Sequence, residues 1–230
     1  MQTAAVVIIG NEILSGKFAD ENGPFFIRRL RELGVRLERL VVVPDVPETI
    51  GREVAACSAA YDLVFTTGGV GPTHDDITME SIAEGFGVAC PLHPELETLL
   101  RRKLGERANA AALRMALAPE GSDLLWDNDM FPTVRFRNVY ILPGVPPIMR
   151  AKFDAMAHRF EGTPVHTARL RTEKRESEIA ARLEEAVDRF AVEIGSYPRM
   201  EAKPRHVIVT IEGSDEAEVE ACRGWLASRI

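Results

Sequence analysis

The sequence predicts an α/β protein whose mainly parallel sheet is covered by helices on both faces. Two continuous apolar runs, residues 4–9 (AAVVII) and 63–65 (LVF), are typical of central strands that are buried on both sides. Such runs alternate with amphipathic helical patterns along most of the chain, which is the pattern of parallel strands joined by helices. After about residue 163 the pattern changes to a short β-α-β-β-α succession, which predicts a second, smaller domain.

The boundaries of the predicted elements follow from apolar spacing and from glycine and proline. Apolar runs predict strands at residues 4–9, 35–43, 63–65 and 124–126, with one or two further strands in 134–142 that turn at Arg137 and Asn138. Apolar residues at helical spacing predict helices at 22–33, 48–59, 78–85, 93–104, 109–117 and from 146 to about 160. Gly34 is typical of a helix end, and Pro146 and Pro147 are tolerated in a first turn.

The tail predicts a small α+β domain of its own. Strands are expected at 165–170, 192–196 and 206–212, with an amphipathic helix at 176–190 and a last helix capped by Ser214. Fewer than seventy residues can bury only a marginal core on their own. We therefore divide the chain into a larger domain at 1–163 and a small β-α-β-β-α domain at 164–230.

Composition restricts the classes of function. The chain has 230 residues, of which 46% are hydrophobic and 27% charged, as in an ordinary globular protein. A formal net charge of −7 argues against nucleic-acid binding through phosphate contacts. Three widely spaced cysteines form no zinc or disulfide pattern, and no signal peptide or membrane-spanning run is seen. We expect a cytoplasmic protein with reduced thiols that binds neither nucleic acid nor membrane.

The most informative stretch is residues 66–78 (TTGGVGPTHDDIT), which connects a strand to a helix. It contains three glycines, Gly68, Gly69 and Gly71. Exposed backbone N–H groups in such a turn, together with the positive end of the next helix, suit a phosphate group. The neighbouring carboxylates of Asp75 and Asp76 would repel phosphate unless a divalent cation lay between them. The stretch therefore predicts a phosphate-plus-metal site, and the plainer alternative is a glycine turn with solvated acids.

Known phosphate-binding patterns do not account for this turn. No Gly-Lys-Ser/Thr follows the glycines, so it is not a Walker A loop. Gly69 and Gly71 form a G-x-G, but the two acids crowd the helix start that a dinucleotide pyrophosphate would need. No serine or cysteine lies in a nucleophile elbow with an identifiable base.

Polar residues also follow the first two predicted strands. Asn11 and Glu12 come after the strand at 4–9, and Asp45 follows the strand at 35–43. Ligand sites of open α/β sheets form at this edge, where the carboxyl ends of the strands meet. A polar loop explains Asn11 and Glu12 equally well, and an isolated Asp in this position is more often a helix cap or turn residue.

These residues together resemble the molybdopterin-binding (MoCF) domain superfamily. The resemblance is to the branch formed by the N-terminal domain of competence/damage-inducible protein A and the related domain of eukaryotic FAD synthases. It is carried by residues 10–16 (GNEILSG), 43–45 (VPD), 66–78 and 142–146 (LPGVP). In the tail, residues 177–180 (SEIA) and 194–198 (IGSYP) resemble the small domain that follows in the same branch.

The resemblance implies a three-layer α/β/α fold and assigns roles to particular residues. It implies that Asp76 and Asp45 act in metal-assisted transfer or hydrolysis at a phosphoanhydride, with Asp75 as a further metal ligand. It implies that the ligand and its phosphates are bound by Gly10, Asn11, Glu12, Thr66, Thr67, Gly68, Gly69, Gly71, Thr73, Pro143 and Gly144. Mg²⁺ or another divalent cation is expected, and no permanently bound organic cofactor.

Three functions follow from the resemblance as hypotheses. The first is hydrolysis of a dinucleotide-like pyrophosphate such as ADP-ribose or FAD. The second is adenylylation of molybdopterin, and the third is a non-catalytic module that binds a pterin or nucleotide. By analogy with the family we expect a homo-oligomer, a dimer or trimer. Because the sequence shows no amidase-like C-terminal domain, we expect no deamidation of nicotinamide mononucleotide. It also shows no adenylyltransferase module of the FAD-synthase type.

Overall fold

A computed structural model describes residues 2–127, 131–160 and 162–230. The chain divides into two compact units, Met1–Gly162 and Thr163–Ile230. Each has its own hydrophobic core. Every helix among the described residues is too short or too polar to cross a membrane.

The first unit alternates strands and helices. Its strands are β1 (Thr3–Ile9), β2 (Arg36–Val43), β3 (Leu63–Thr67), β4 (Asp123–Leu125), β5 (Thr133–Phe136) and β6 (Val139–Leu142). Its helices are α1 (Asn11–Leu14), α2 (Asn22–Glu32), α3 (Pro47–Ala60), α4 (Thr78–Gly85), α5 (Pro94–Leu104), α6 (Ala110–Leu113) and α7 (Pro146–Met156). Short 3-10 helices lie at Gly105–Arg107, Arg114–Ala116 and Ala157–Arg159.

The six strands form one sheet in the order β2-β1-β3-β6-β5-β4. The first four are parallel, and β5 runs antiparallel to both of its neighbours. The carboxyl ends of β2, β1, β3 and β6 therefore meet at one edge of the sheet, and the start of β5 lies at the same edge. Register places Thr67, Leu142 and Thr133 abreast in three neighbouring strands: Thr67 pairs with Leu142, and the adjoining pair Val134–Ile141 sets the position of Thr133.

The central strands β1 and β3 are largely apolar and buried because both faces of the sheet are covered there. In β1 the side chains of Ala5, Val7 and Ile9 pack on one face, and those of Ala4, Val6 and Ile8 on the other. Helices α3, α4 and α5 supply the first face, while α2 and α7 supply the second. This continuous burial is what separates a central parallel strand from a half-exposed one with alternating polarity.

An aromatic cluster fills the second face around Phe65. The Phe65 ring lies 5.5 Å from that of Phe26, 5.3 Å from Phe153 and 5.1 Å from Phe160, measured between centroids. Its contacts with Phe153 and Phe160 are edge-to-face, the geometry that the ring quadrupole favours. Since Phe65 stands three residues before Gly68, this cluster anchors the strand that carries the glycine turn.

The second unit is a three-stranded antiparallel sheet with two helices. Its elements are β7 (His166–Thr172), α8 (Glu176–Arg189), β8 (Glu193–Arg199), β9 (His206–Gly213) and α9 (Glu216–Ala227). The strand order is β7-β9-β8. The alternating residues Val207, Val209 and Ile211 of the central strand are buried against Ile179 of α8 and Leu226 of α9.

The predicted fold class is confirmed, and two local predictions were wrong. The mainly parallel sheet with helices on both faces and the small α+β tail are both present. The helix expected at 109–117 is α6 followed by a 3-10 turn, because only one turn of α-helix forms after the Asn109 cap. The last helix is capped by Asp215, whose carboxylate accepts a hydrogen bond from the Ala217 N–H, and not by Ser214.

We predict that Phe65→Ala lowers the free energy of unfolding of the first unit by about 3–5 kcal/mol, because a fully buried aromatic side chain leaves a cavity. Phe18→Ala is the matched control, since Phe18 is 60% exposed and its removal should change the stability by less than about 0.5 kcal/mol. Urea unfolding followed by circular dichroism would measure both. Equal losses in the two variants would contradict the role of Phe65.

Candidate functional site

A large cleft lies in the first unit along the edge where the strands end. Its volume is about 1090 Å³. The segments after β1, β3 and β6 line it, together with the residues before β5 and part of α7. Of the residues predicted as a site, the cleft is lined by Glu12, Thr67, Gly68, Gly69, Gly71, Asp75, Asp76, Pro143 and Gly144. The strand tips thus come together as the sheet topology requires.

The glycine turn after β3 is shaped by the close passage of β1. Gly68 has φ +112°, and a Cβ atom there would lie 2.1 Å from the carbonyl oxygen of Ile9. Gly69 has φ +62°, and its Cβ would lie 2.4 Å from Thr78 Oγ1. Both positions therefore require glycine for conformation and for space.

Thr78 ties this turn to the start of α4. Its hydroxyl donates to the carbonyl oxygen of Gly68 at 2.9 Å, and its N–H donates to the carbonyl oxygen of Gly69 at 3.0 Å. Thr78 is fully buried, so these bonds are shielded from water. The turn carbonyls point toward the helix, which leaves the N–H groups of the turn to face elsewhere.

The turn offers three unused backbone donors. Gly68 N–H is not one of them, since it continues the sheet by donating to the carbonyl oxygen of Leu142 at 3.2 Å. Within the described ranges, the N–H groups of Gly69, Val70 and Gly71 have no hydrogen-bond acceptor. Successive open N–H groups next to a helix start form an anion-binding concavity.

The two predicted acids converge on one side of this turn. The hydroxyl oxygen of Thr73 lies 2.5 Å from a carboxylate oxygen of Asp75 and 2.5 Å from one of Asp76. Asp76 also accepts a hydrogen bond from the Thr73 N–H at 2.8 Å. The hydrogen bond from the Thr73 hydroxyl lowers the pKa of Asp75. Both groups can therefore present oxygen ligands at the mouth of the cleft.

Arg114, which the sequence analysis did not identify, stabilises the backbone at Asp76. Its guanidinium donates to the backbone carbonyl of Asp76 at 2.9 Å and forms an ion pair with Glu80 at 2.7 Å. It lies thirty-eight positions from Asp76 in the chain, so no local pattern could have indicated the contact. Arg114 fixes the backbone that carries the Asp76 side chain.

The carboxylates of Asp75 and Asp76 fit a cation such as Mg²⁺ that is also coordinated by the bound ligand. They do not fit a metal site formed by protein side chains alone. Among the described residues, no group of three or more His, Cys, Asp or Glu side chains could hold a metal ion. Mg²⁺ commonly binds one or two carboxylates and completes its shell with substrate phosphate and water. Asp75 and Asp76 supply that number of hard oxygen ligands beside the open N–H groups.

Asp45 lies at the tip of β2 and holds the loop after β1. Its carboxylate accepts a hydrogen bond from the Asn11 N–H at 2.7 Å, and neither residue lines the cleft. Gly10 donates to the carbonyl oxygen of Val43 at 3.2 Å, which extends the β1–β2 pairing. Glu12 does line the cleft. The metal-binding role expected for Asp45 stays a prediction.

Asn22 connects the tips of β3 and β6, a role that no local sequence pattern indicates. Its amide nitrogen donates to Thr67 Oγ1 at 3.0 Å and to the carbonyl oxygen of Gly144 at 2.9 Å. The Thr67 hydroxyl in turn donates to the carbonyl oxygen of Pro143 at 2.9 Å. The Gly144 carbonyl oxygen can only accept a hydrogen bond, and the Thr67 hydroxyl already donates its proton to Pro143. Both groups therefore need a donor from Asn22, which fixes the orientation of its side-chain amide.

The two threonines before the glycines have different environments. Thr67 belongs to the Asn22 network and lines the cleft. Thr66 is fully buried and does not line it, and its hydroxyl has no partner among the described residues. The ligand-binding role predicted for Thr66 therefore has no direct contact to support it, whereas that of Thr67 has the position it needs.

Gly68→Ala should lower the free energy of unfolding by more than about 3 kcal/mol, because the new methyl group adds a clash with Ile9 to the cost of a positive φ. Gly87→Ala is the control: Gly87 has φ +67° but nothing within 4 Å of a Cβ, so it should lose only about 1–2 kcal/mol. Thermal or urea unfolding of both variants checks this. Similar losses would mean that the passage past β1 is not close.

Asn22→Asp should lower the stability by about 2–4 kcal/mol, because it replaces a buried donor with an oxygen facing a carbonyl. Asn109→Asp is the same substitution at a helix cap where the side chain only accepts a hydrogen bond, so it should change the stability by less than about 0.5 kcal/mol. Urea unfolding at pH 7 compares the free energies of unfolding of the two variants. If Asn22→Asp leaves the stability unchanged, the assigned hydrogen-bond network is wrong.

Comparison with known proteins matches the two units separately. Residues 5–162 match the family described as "Probable molybdopterin binding domain", and residues 164–230 match "FAD synthase, middle domain". A "Probable FAD synthase" of Caenorhabditis briggsae is 34% identical over 96% of this chain, which spans 48% of that relative's length. A protein of Archaeoglobus fulgidus is 34% identical, with 94% of this chain and 92% of that protein covered.

A solved structure supports the same assignment for the larger unit. The protein CinA of Thermoplasma acidophilum, described as of unknown function, has a TM-score of 0.63 and 31% identity. The match covers 69% of this chain and 98% of that one. The chain therefore belongs to the molybdopterin-binding domain family, in its CinA branch.

Proposed function

We propose that this protein binds a nucleotide or pterin phosphate in the cleft and hydrolyses a dinucleotide-like pyrophosphate, such as ADP-ribose or FAD, with Mg²⁺ or another divalent cation. The observation that carries the proposal is the convergence of open N–H groups at Gly69–Gly71 with the carboxylates of Asp75 and Asp76. Either feature alone is weak support, whereas donors for phosphate beside ligands for its counter-ion support a phosphorylated ligand bound with a cation.

The roles of the residues follow from their geometry. The N–H groups of Gly69, Val70 and Gly71 would hold phosphoryl oxygens and stabilise the charge that develops on them. Asp75 and Asp76 would hold the cation, which supplies Lewis-acid polarisation of a phosphoryl oxygen and a more acidic bound water. Thr73 and Arg114 would keep the carboxylates in place through the contacts described above.

The size and walls of the cleft support a ligand larger than phosphate. A volume of about 1090 Å³ is at the upper end of ordinary small-molecule sites, which suits a dinucleotide-sized molecule. Beyond the turn the walls are apolar, with Met79, Met115, Val134 and Ile141 among them. Such walls suit a planar ring at one end of the ligand.

Adenylylation of molybdopterin is the second candidate, and the family match favours it, since the matched family is described by molybdopterin binding. The same phosphate and cation contacts would serve both reactions. Labelled adenylyl transfer from MgATP to molybdopterin would distinguish it from hydrolysis. Assembly as a homo-oligomer and a location in the cytoplasm stay predictions from the sequence.

Asp76→Asn should reduce Mg²⁺-dependent hydrolysis of ADP-ribose or FAD by on the order of 10²–10³-fold, because a carboxylate that positions the cation is worth a few kcal/mol of the barrier. Asp123→Asn, at an exposed ion pair with Arg135, is the control and should leave turnover unchanged. Release of AMP measures the reaction.

Unchanged turnover in Asp76→Asn would contradict the assignment of this carboxylate. If the unmodified protein is stabilised against heat by these ligands but releases no AMP, the cleft is that of a binding module without hydrolytic activity.

A further inference from the structure

Lys152 is a buried cation in the wall of the cleft. It lies on α7, is 8% exposed and lines the cleft. Its ammonium group donates to the backbone carbonyls of Phe131 and Pro132, the latter at 3.0 Å, and lies 3.5 Å from Thr133 Oγ1. The first two contacts are charge-assisted hydrogen bonds to neutral groups, and the third is at the limit of a hydrogen bond. One of its three N–H donors is therefore poorly used.

The positive charge of Lys152 has no carboxylate partner among the described residues. The charged side chains of the neighbouring elements are paired with one another, as Arg29–Asp154, Arg135–Asp123, Arg150–Glu21 and Arg159–Asp127. Burial lowers the pKa of Lys152 to about 8. A buried cation held only by neutral oxygens is costly unless a further acceptor approaches it.

The position of Lys152 in the cleft complements that of the acids. The described residues of the lining include five carboxylates, Glu12, Asp20, Glu21, Asp75 and Asp76, and a single cation, Lys152. The segment that Lys152 holds begins β5, two strands away from β3 in the sheet. Since neighbouring strands lie about 5 Å apart, the end of β3 and the start of β5 are separated by about 10 Å across the sheet.

We propose that Lys152 binds a carbonyl oxygen of the ligand's ring, so that the cleft selects a phosphorylated carbonyl-bearing ring over a phosphorylated adenine. Of the two proposed substrates, this favours FAD, whose flavin carries such carbonyls, over ADP-ribose. The inference rests on the proposed function, because it assumes that the ligand's phosphate occupies the glycine turn. The apolar side chains of Phe131, Val134 and Ile141 also line the cleft, which suits a planar ring. Carbonyl oxygens of a flavin or pterin ring accept from an ammonium group over a broad range of directions, whereas adenine offers only single in-plane ring nitrogens beside its exocyclic amino donor.

FMN and AMP test this directly, because both carry one phosphate and only FMN has ring carbonyls. We expect the unmodified protein to bind FMN more tightly than AMP in calorimetry with Mg²⁺. Lys152→Met, which keeps the apolar stem, should weaken FMN binding about tenfold or more and leave AMP binding unchanged. Lys103→Met removes the same charge from an exposed position on α5 and should change neither.

The pH dependence of the unmodified protein provides a readout that needs no variant. Because the free Lys152 has a lowered pKa and a carbonyl oxygen favours its charged form, FMN binding takes up a proton. The affinity for FMN is highest below pH 8, where Lys152 is already protonated. It falls as the pH rises through 8, by up to about tenfold between pH 7 and pH 9. Lys152→Met should show no such fall, and neither should AMP.

The outcomes separate the two proposals. If FMN and AMP both bind but Lys152→Met affects them equally or not at all, Lys152 is only a clamp on the Phe131 segment and this inference is wrong, while the phosphate site stands. A flat pH profile for FMN would overturn it in the same way, even if the Lys152→Met protein does not fold. If neither molecule binds the unmodified protein, the proposed ligand class fails and the inference falls with it.

Discussion

The close passage of Gly68 past the carbonyl oxygen of Ile9 is the constraint on which the site depends. Two parallel strands end side by side there, and the chain can leave β3 only by a left-handed turn that has no room for a side chain. That turn directs its carbonyls to Thr78 at the start of α4 and leaves three N–H groups without an acceptor in the described structure. The geometry that suits phosphate is thus a consequence of how β1 and β3 end.

Around this turn the polar groups are arranged in two layers. Asn22 and Thr67 join the ends of β3 and β6 through a network in which each proton has a definite acceptor. Asp75 and Asp76 stand further out and remain available as ligands. The cleft has the carboxylates of Asp75 and Asp76 near the turn, and Lys152 is the one cation among its described lining residues.

The sequence predicted what local patterns encode. Continuous apolar runs indicated the parallel strands, and the order of glycines and acids in 66–78 indicated the turn, while its phosphate and metal chemistry stays a prediction. Long-range contacts had no such signal: Asn22 is paired with Gly144, 122 positions away, and Arg114 with the backbone of Asp76. No local pattern distinguishes Lys152 from the other residues of its helix. Its burial depends on the segment at Pro132, twenty residues earlier in the chain.

The central claim is that pyrophosphate is held by the turn N–H groups and a cation at the two acids. A crystal structure with FAD and Mn²⁺, the metal located by anomalous scattering, tests it most directly. The account predicts phosphoryl oxygens within hydrogen-bond distance of the N–H groups of Gly69–Gly71 and Mn²⁺ between them and Asp75 or Asp76. Phosphate bound elsewhere in the cleft, or Mn²⁺ at Asp45 without either acid, would contradict it.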